Sequence, residues 1–301
     1  TDAHFGAEMT YDFYKKKYNR NSIDNAGLKL LSYIHYSSNY VNAFWDGTRM
    51  TYGDGNATYK PLVAIDITGH EITHGLTSYT SNLNYSYESG ALNESFSDVL
   101  GTAIEWFGDS ARFEWDLGKK IGVAIRSMSN PKTFGDPDTY KGTNWYVGAA
   151  DNGGVHTNSG VQNYWFYTLC EGDTGTNDLG NTYKVDSIGM EKAAAIAYRT
   201  LTYYLTTTSQ YADARTNSLQ AAEDLFGTCS FEQVAVAKAW YAVGIGSMYN
   251  DIQFAQPNTT IVTKGSADND IYRVSVTPAC TGNSTDTLKY IKFSNAGSTR
   301  T

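Results

Sequence analysis

The spacing of hydrophobic residues changes several times along the 301-residue chain. From Asp2 to Ser38 apolar residues recur at helical intervals, first Phe5, Met9 and Phe13, then Leu28, Leu31 and Ile34, with a break at Asp24-Asn25-Ala26-Gly27. That stretch is expected to be mostly helix. Val41–Trp45 and Met50–Tyr52, joined through Asp46-Gly47, carry the pattern of a β-hairpin, and Gly53-Asp54-Gly55-Asn56 reads as the loop after it. Two further helices are expected over 64–79 and 90–107. Residues 108–154, rich in Gly, Asp, Pro and Asn, read mostly as loop. The helical period returns from His156 to about Ser247 and is clearest at 187–206, 211–227 and 230–244. Residues 251–301 are rich in Thr, Ser and Asn, and the alternation Ile271–Val276 suggests a β-rich extension or linker. These elements predict an α+β fold whose second half is mainly helical.

Composition narrows the class of molecule. At 41% hydrophobic and 18% charged residues the chain has enough apolar material for a sizeable core. Its net charge of −8 and its lack of a dense basic block beyond Lys15-Lys16-Lys17 argue against nucleic acid as a partner. No apolar run approaches the ~20 residues of a membrane-spanning helix. The opening residues Thr1-Asp2-Ala3-His4-Phe5 have neither the basic nor the apolar region of a signal peptide. Three cysteines leave two arrangements open: a Cys170–Cys229 bridge with Cys280 left over, or three buried thiols.

The chemistry concentrates in His70-Glu71-Ile72-Thr73-His74. Residues four apart on a helix are rotated by about 40°, so both imidazoles leave one face at neighbouring levels and can reach one zinc ion. Glu71 lies about 100° from His70 and about 60° from His74, which lets it flank the metal without being a ligand. With only 5 histidines in the chain, this pattern arises by chance in roughly a few per thousand such sequences. The alternative is a pair of ordinary surface or core histidines.

A catalytic zinc takes three protein ligands and keeps one open position. The segment Gly90-Ala91-Leu92-Asn93-Glu94-Ser95-Phe96-Ser97-Asp98 offers the third. Leu92, Phe96, Val99 and Ala103 form its apolar stripe, while Glu94 and Asp98 share another face. Glu94 is the candidate ligand. Asp98, one turn on, is placed to accept the second N–H of a ligand histidine, with Asn93 beside it in the same outer layer.

These motifs resemble the thermolysin-like family of bacterial zinc metallopeptidases, which pairs a His-Glu-x-x-His helix with a glutamate from a Gly-x-x-Asn-Glu-x-x-Ser-Asp helix. Here Glu94 follows His74 by twenty residues, as in that family. Further matching stretches are Asn42–Gly47, Gly53–Gly55, Arg126–Met128, Gly135–Asp138 and Asp151–Gly160, and the likeness covers about residues 2–247. The resemblance implies a two-lobed zincin with the active-site helix between the lobes. Residues 1–79 would be the remainder of the N-terminal lobe, 80–250 a mainly α-helical C-terminal lobe, and 251–301 an extension. About seventy residues of a largely β N-terminal region are expected to be missing.

The resemblance also assigns roles. Glu71 is the general base, His156 and Tyr85 stabilise the oxyanion, and Asp151 orients His156. Asn42 and the Ala43 backbone hold the substrate main chain, and Arg126 a substrate carbonyl. It implies a secreted, monomeric endopeptidase acting on a peptide or protein, with a preference for a bulky apolar residue after the scissile bond. One calcium ion is expected on Asp66, Glu105, Glu114 and the Asp116 carbonyl. A second is not expected, since Lys119 stands where some members carry an acid. Two rivals stay open at this level: a non-catalytic zinc-binding homologue, and a zinc hydrolase of another bond such as an ester.

Overall fold

A helix that is buried on every side organises the molecule. In the computed structural model, which describes residues 2–228 and 230–247, every residue from Ser89 to Glu105 is buried. Eight helices and seven short strands appear among the described residues. Helix α1 is Asp2–Tyr18, α2 Ile65–Ser78, α3 Tyr87–Asp109, α4 Asp151–Asn158 and α5 Gly160–Glu171; α6 Met190–Arg199, α7 Tyr211–Phe226 and α8 Phe231–Ala242 follow. Strands β1 (Ser32–Tyr33), β2 (Ala43–Trp45) and β3 (Met50–Tyr52) form a three-stranded sheet in the order β1-β3-β2. Two two-stranded ladders, β4 (Asp116–Leu117) with β5 (Arg126–Ser127) and β6 (Asp173–Thr176) with β7 (Thr182–Val185), complete it.

Helix α2 packs on α3 along one side and on α1 and β2 on the other. Ile72 and Leu76 are fully buried there, each contributing roughly 1.5–3 kcal/mol. The closeness of the two central helices depends on two glycines. A Cβ on Gly101 of α3 would lie 2.7 Å from the Asp66 carbonyl oxygen and 2.9 Å from the His70 nitrogen, both backbone atoms of α2. A Cβ on Gly69 would lie 3.1 Å from the Gly101 Cα. Glycine in a helix interior costs about 1 kcal/mol relative to alanine. At Gly69 that cost allows the backbone approach that sets the spacing of the histidine and glutamate side chains. Helix α1 adds a polar tie, the hydroxyls of Tyr14 and Thr73 lying 2.6 Å apart in the core.

The expected hairpin forms, with Ala43 opposite Tyr52 and Trp45 opposite Met50. The expected helices at 64–79 and 90–107 also form, the second extended to Tyr87–Asp109. Two stretches differ. Residues 19–38 form no helix: burial alternates residue by residue over 28–33, and Ser32–Tyr33 pair in parallel with Met50–Thr51. Three aliphatic residues fit a helical period there, but the alternating exposure and the sheet edge offered by β3 decide the conformation. The second difference is the β6–β7 hairpin, which interrupts the region read as helical after His156. Its threonines alternate across the ladder, and Gly180, with φ of 80°, closes the turn after Asn177-Asp178. The extension expected over 251–301 lies outside the described residues, as do Cys229 and Cys280. Cys170 is a buried free thiol. Among the described residues no helix is long and apolar enough to cross a membrane.

The Gly101 contact yields a test. Gly101→Ala should lower stability by about 1–3 kcal/mol, read as a fall in Tm, because the added methyl meets backbone atoms that have no rotamer to escape into.

Candidate metal centre

Because α3 is buried all round, its polar residues must find partners inside the protein or pay for desolvation. Most do. Asn93 donates from Nδ2 to the Leu83 carbonyl (3.1 Å), which fixes its amide and turns Oδ1 towards His74 Nδ1, 2.7 Å away. Asp98, with no exposed surface, accepts from His70 Nδ1 at 2.7 Å, from Arg126 through Nε (2.8 Å) and Nη2 (2.7 Å), and from Asn163 Nδ2 (2.8 Å). Burial works against its charge, but the Arg126 guanidinium and His70 hold its carboxyl well below the ordinary carboxylate range.

Those outer bonds set the tautomers. With each Nδ1–H given to an oxygen, a neutral His70 and a neutral His74 present Nε2 lone pairs to one another. The two Nε2 atoms are 3.0 Å apart. His70 Nε2 lies 3.4 Å from Glu94 Oε2, and His74 Nε2 3.4 Å from Glu94 Oε1. Ligands of a tetrahedral zinc at ~2.0–2.1 Å stand ~3.3 Å from each other. Glu94 is 1% exposed and its Oε2 has no hydrogen-bond partner. An orphaned buried carboxylate oxygen beside two lone-pair nitrogens is a triangle of donors that fits a divalent cation. Burial opposes a charge on His70, but Asp98 and Glu94 push its imidazole up to about 10.

Glu71 stands beside this triangle, with one ligand atom each from His70, Glu71 and His74 within 4.8 Å of one another. Desolvation pushes its carboxyl above the ordinary value, though both histidines pull the other way. Tyr85 and His156 approach Glu94 as well. The Tyr85 hydroxyl donates to Glu94 Oε1 and lies 3.3 Å from His156 Nε2, itself 3.5 Å from Glu94 Oε1. Asp151 holds His156 twice, Oδ1 facing Nδ1 at 2.6 Å and Oδ2 accepting from the His156 backbone nitrogen at 2.9 Å. This grip requires the chain to turn back on itself. Asp151, Asn152, Gly153 and Gly154 all have positive φ, a conformation that Asp, Asn and Gly adopt more readily than other residues.

The triangle opens on a cleft of about 610 Å³, lined by Asn42, Ala43, Phe44, Trp45, His70, Glu71, His74, Tyr85, Glu94 and His156 among others. Strand β2, on the edge of its sheet, forms one wall. Asn42 Oδ1 accepts from the Ala43 backbone nitrogen at 3.0 Å. A smaller pocket of about 90 Å³ reaches the same residues and is walled by Leu62, Ile67, Leu117 and Ile125 with Arg126 at its side. Arg126 is thus shared between that pocket and Asp98.

Two residues of this network escape the sequence reading. Asn163 holds Asp98 and is itself held by Ser95, whose hydroxyl donates to Asn163 Oδ1 at 2.7 Å. An asparagine amid the apolar residues of α5 was the available signal.

The side chains expected around calcium have protein partners of their own. Asp66 accepts from the Ile67 nitrogen through Oδ1 (2.8 Å) and from the Gly118 nitrogen through Oδ2 (2.6 Å). Glu105 faces Lys120 at 2.6 Å and Glu114 faces Lys119 at 2.7 Å, while the Asp116 carboxylate lies 3.8 Å from Lys119. Calcium needs six to eight oxygens turned towards it. Here both Asp66 oxygens accept from backbone N–H groups, and one oxygen each of Glu105 and Glu114 faces an ammonium ion. Burial and the neighbouring Asp66 push Glu105 up to about 7 despite Lys120.

Comparison with known proteins finds metallopeptidases. A family model described as the thermolysin metallopeptidase catalytic domain matches residues 1–78, and one described as the thermolysin metallopeptidase alpha-helical domain matches residues 81–245. The bacillolysin of Bacillus cereus is 48% identical over 252 residues, covering 81% of this chain and 43% of that protein. The thermolysin of Alicyclobacillus acidocaldarius subsp. acidocaldarius is 43% identical over 252 residues, covering 81% and 45%. The chain therefore spans less than half the length of these curated relatives. Among solved structures, the precursor of protealysin, a metalloproteinase from Serratia proteamaculans, superposes with a TM-score of 0.71 at 32% identity, covering 81% of this chain and 78% of that one.

The outer bonds predict a measurable effect. Asp98→Asn keeps the shape but loses the charge that orients His70, so zinc affinity should fall about 10–100-fold in competition with a chromophoric chelator.

Proposed function

The chain belongs to the thermolysin metallopeptidase family, and on that premise we propose that it is a secreted zinc endopeptidase cleaving peptide bonds before bulky hydrophobic residues. The observation that carries this reading is the donor triangle of His70, His74 and Glu94 opening onto the same cleft as Glu71, Tyr85 and His156. Secretion rests on the family resemblance alone.

A bound zinc ion would supply Lewis acidity to the scissile carbonyl and make a water in its open position more acidic. Glu71, its carboxyl raised by desolvation, takes a proton from the attacking water as the oxygen bonds to the carbonyl carbon. It returns that proton to the amide nitrogen as the C–N bond breaks, leaving a carboxylic acid and an amine, and the acid's remaining proton passes to the amine to give carboxylate and ammonium. Tyr85 offers its O–H to the carbonyl oxygen as negative charge gathers there. His156 keeps Nδ1 on Asp151 and turns its Nε2 towards the same region.

The edge strand supports an extended peptide as substrate. β2 pairs with β3 on one side only, so its other edge leaves main-chain groups free to hold a peptide as an added strand. The four aliphatic walls of the smaller pocket support the apolar preference, and Arg126 beside it is placed to meet a peptide carbonyl.

Two variants test the roles. Glu71→Gln should retain zinc and lose about 10²–10⁴-fold in kcat on an unfolded protein substrate; equal activity in the two zinc-loaded proteins would remove the peptidase reading. His156→Phe should lose about 10²–10³-fold in kcat at unchanged zinc content.

A further inference from the structure

Three of the acids that the family resemblance assigns to calcium, Glu105, Glu114 and Asp116, have lysine neighbours in this chain. We propose that the Lys120 ammonium is the built-in counter-cation of the Asp66–Glu105 cluster, holding the start of α2, the end of α3 and the 118–122 loop together without a calcium ion.

The geometry leaves little for a metal to bind. Both Asp66 oxygens are taken by backbone N–H groups, one of them from Gly118 in the loop that carries the lysines. Lys120 Nζ lies 2.6 Å from Glu105 Oε1 and 3.6 Å from Asp109 Oδ2, two acids one turn apart on α3. A calcium ion on Glu105 would share a carboxylate with that ammonium, and the two like charges would repel at close range. Glu114, the third acid, pairs with Lys119 instead.

Three cationic side chains, Arg112, Lys119 and Lys120, serve four of the acids here. Asp109 is shared with Arg112 at 2.8 Å, so Asp109, Glu105, Glu114 and Asp116 each face a cationic side chain. An ammonium at this place does what a divalent ion would do mechanically. It joins α3 to the loop whose Gly118 holds Asp66, and Asp66 sits one turn before His70. The inference concerns how the fold is held and is independent of whether the chain cleaves peptides.

The test uses the zinc-loaded full chain, with calcium chloride alone as the probe and both Tm and bound calcium as readouts. In calcium up to about 10 mM, an ion held with a Kd near 10⁻⁴ M would raise Tm by about 5–10 °C and appear as one calcium per chain in equilibrium dialysis. The proposal expects a Tm change under about 1 °C and far less than one bound ion. One calcium per chain with a Tm rise of about 5 °C overturns it. At pH 8 in calcium-free buffer, Lys120→Met should lower Tm by about 3 °C or more, because Glu105 loses its partner inside the protein. Lys119→Met, which breaks a more exposed pair, should lower it by less than half as much. Equal losses in the two variants, or none in Lys120→Met, would also sink the assignment. Should Lys120→Met fail to fold, the calcium arm on the unaltered chain still decides.

Discussion

Asp98 carries a full negative charge in a place that water does not reach, and the centre of the molecule is built around keeping it there. Its two oxygens receive hydrogen bonds from His70, Arg126 and Asn163, groups on α2, β5 and α5. A buried carboxylate is tolerable only when its partners are well placed, so each of those elements is constrained to meet it. The bond to His70 fixes the tautomer, and with it the direction of the Nε2 lone pair. Asn93 does the same for His74 without a charge. The donor triangle follows from these two bonds and from Glu94, one turn before Asp98 on the same helix.

That arrangement demands a short distance between α2 and α3, which accounts for glycine at 69 and 101 despite its cost in a helix. The same pair of helices is tied at its far end by Asp66, Gly118, Lys120 and Glu105. Between the ties lies a stretch of α3 whose Asn93 and Asp98 meet α2, while Ser95 bonds to α5 and apolar residues such as Leu92, Phe96 and Val99 are fully buried around it. Rigidity there suits a site whose ligands must stay within a fraction of an ångström of one another.

Much of the centre was legible in the sequence because it lies on two helices, where spacing converts directly into direction. His70 and His74 at four residues, and Glu94 and Asp98 at four residues, are readable from periodicity alone. The features that escaped join separate segments of chain. Asn163 meets Asp98 from a helix about sixty-five residues away, and Lys120 meets Glu105 from a loop with no period. Lys119 stood out as an acid replaced by a base, yet it is its neighbour that reaches the buried acid. Asp151 and His156 are reached through resemblance only, since four consecutive left-handed residues leave no hydrophobic pattern, and so is Tyr85, one of 24 tyrosines. Local pattern misled where a sheet edge outweighed it: Leu28, Leu31 and Ile34 fit a helix, but pairing with β3 gives an extended chain.

The central claim is that His70, His74 and Glu94 together hold zinc. X-ray absorption at the zinc edge tests it most directly, since it counts the ligand types around the metal in the purified chain. The account predicts about one zinc per chain with two imidazole nitrogens at ~2.0–2.1 Å, carboxylate oxygen at ~2.0–2.2 Å and no sulfur. A sulfur shell at ~2.3 Å, a single imidazole, or a chain that retains no zinc would contradict it.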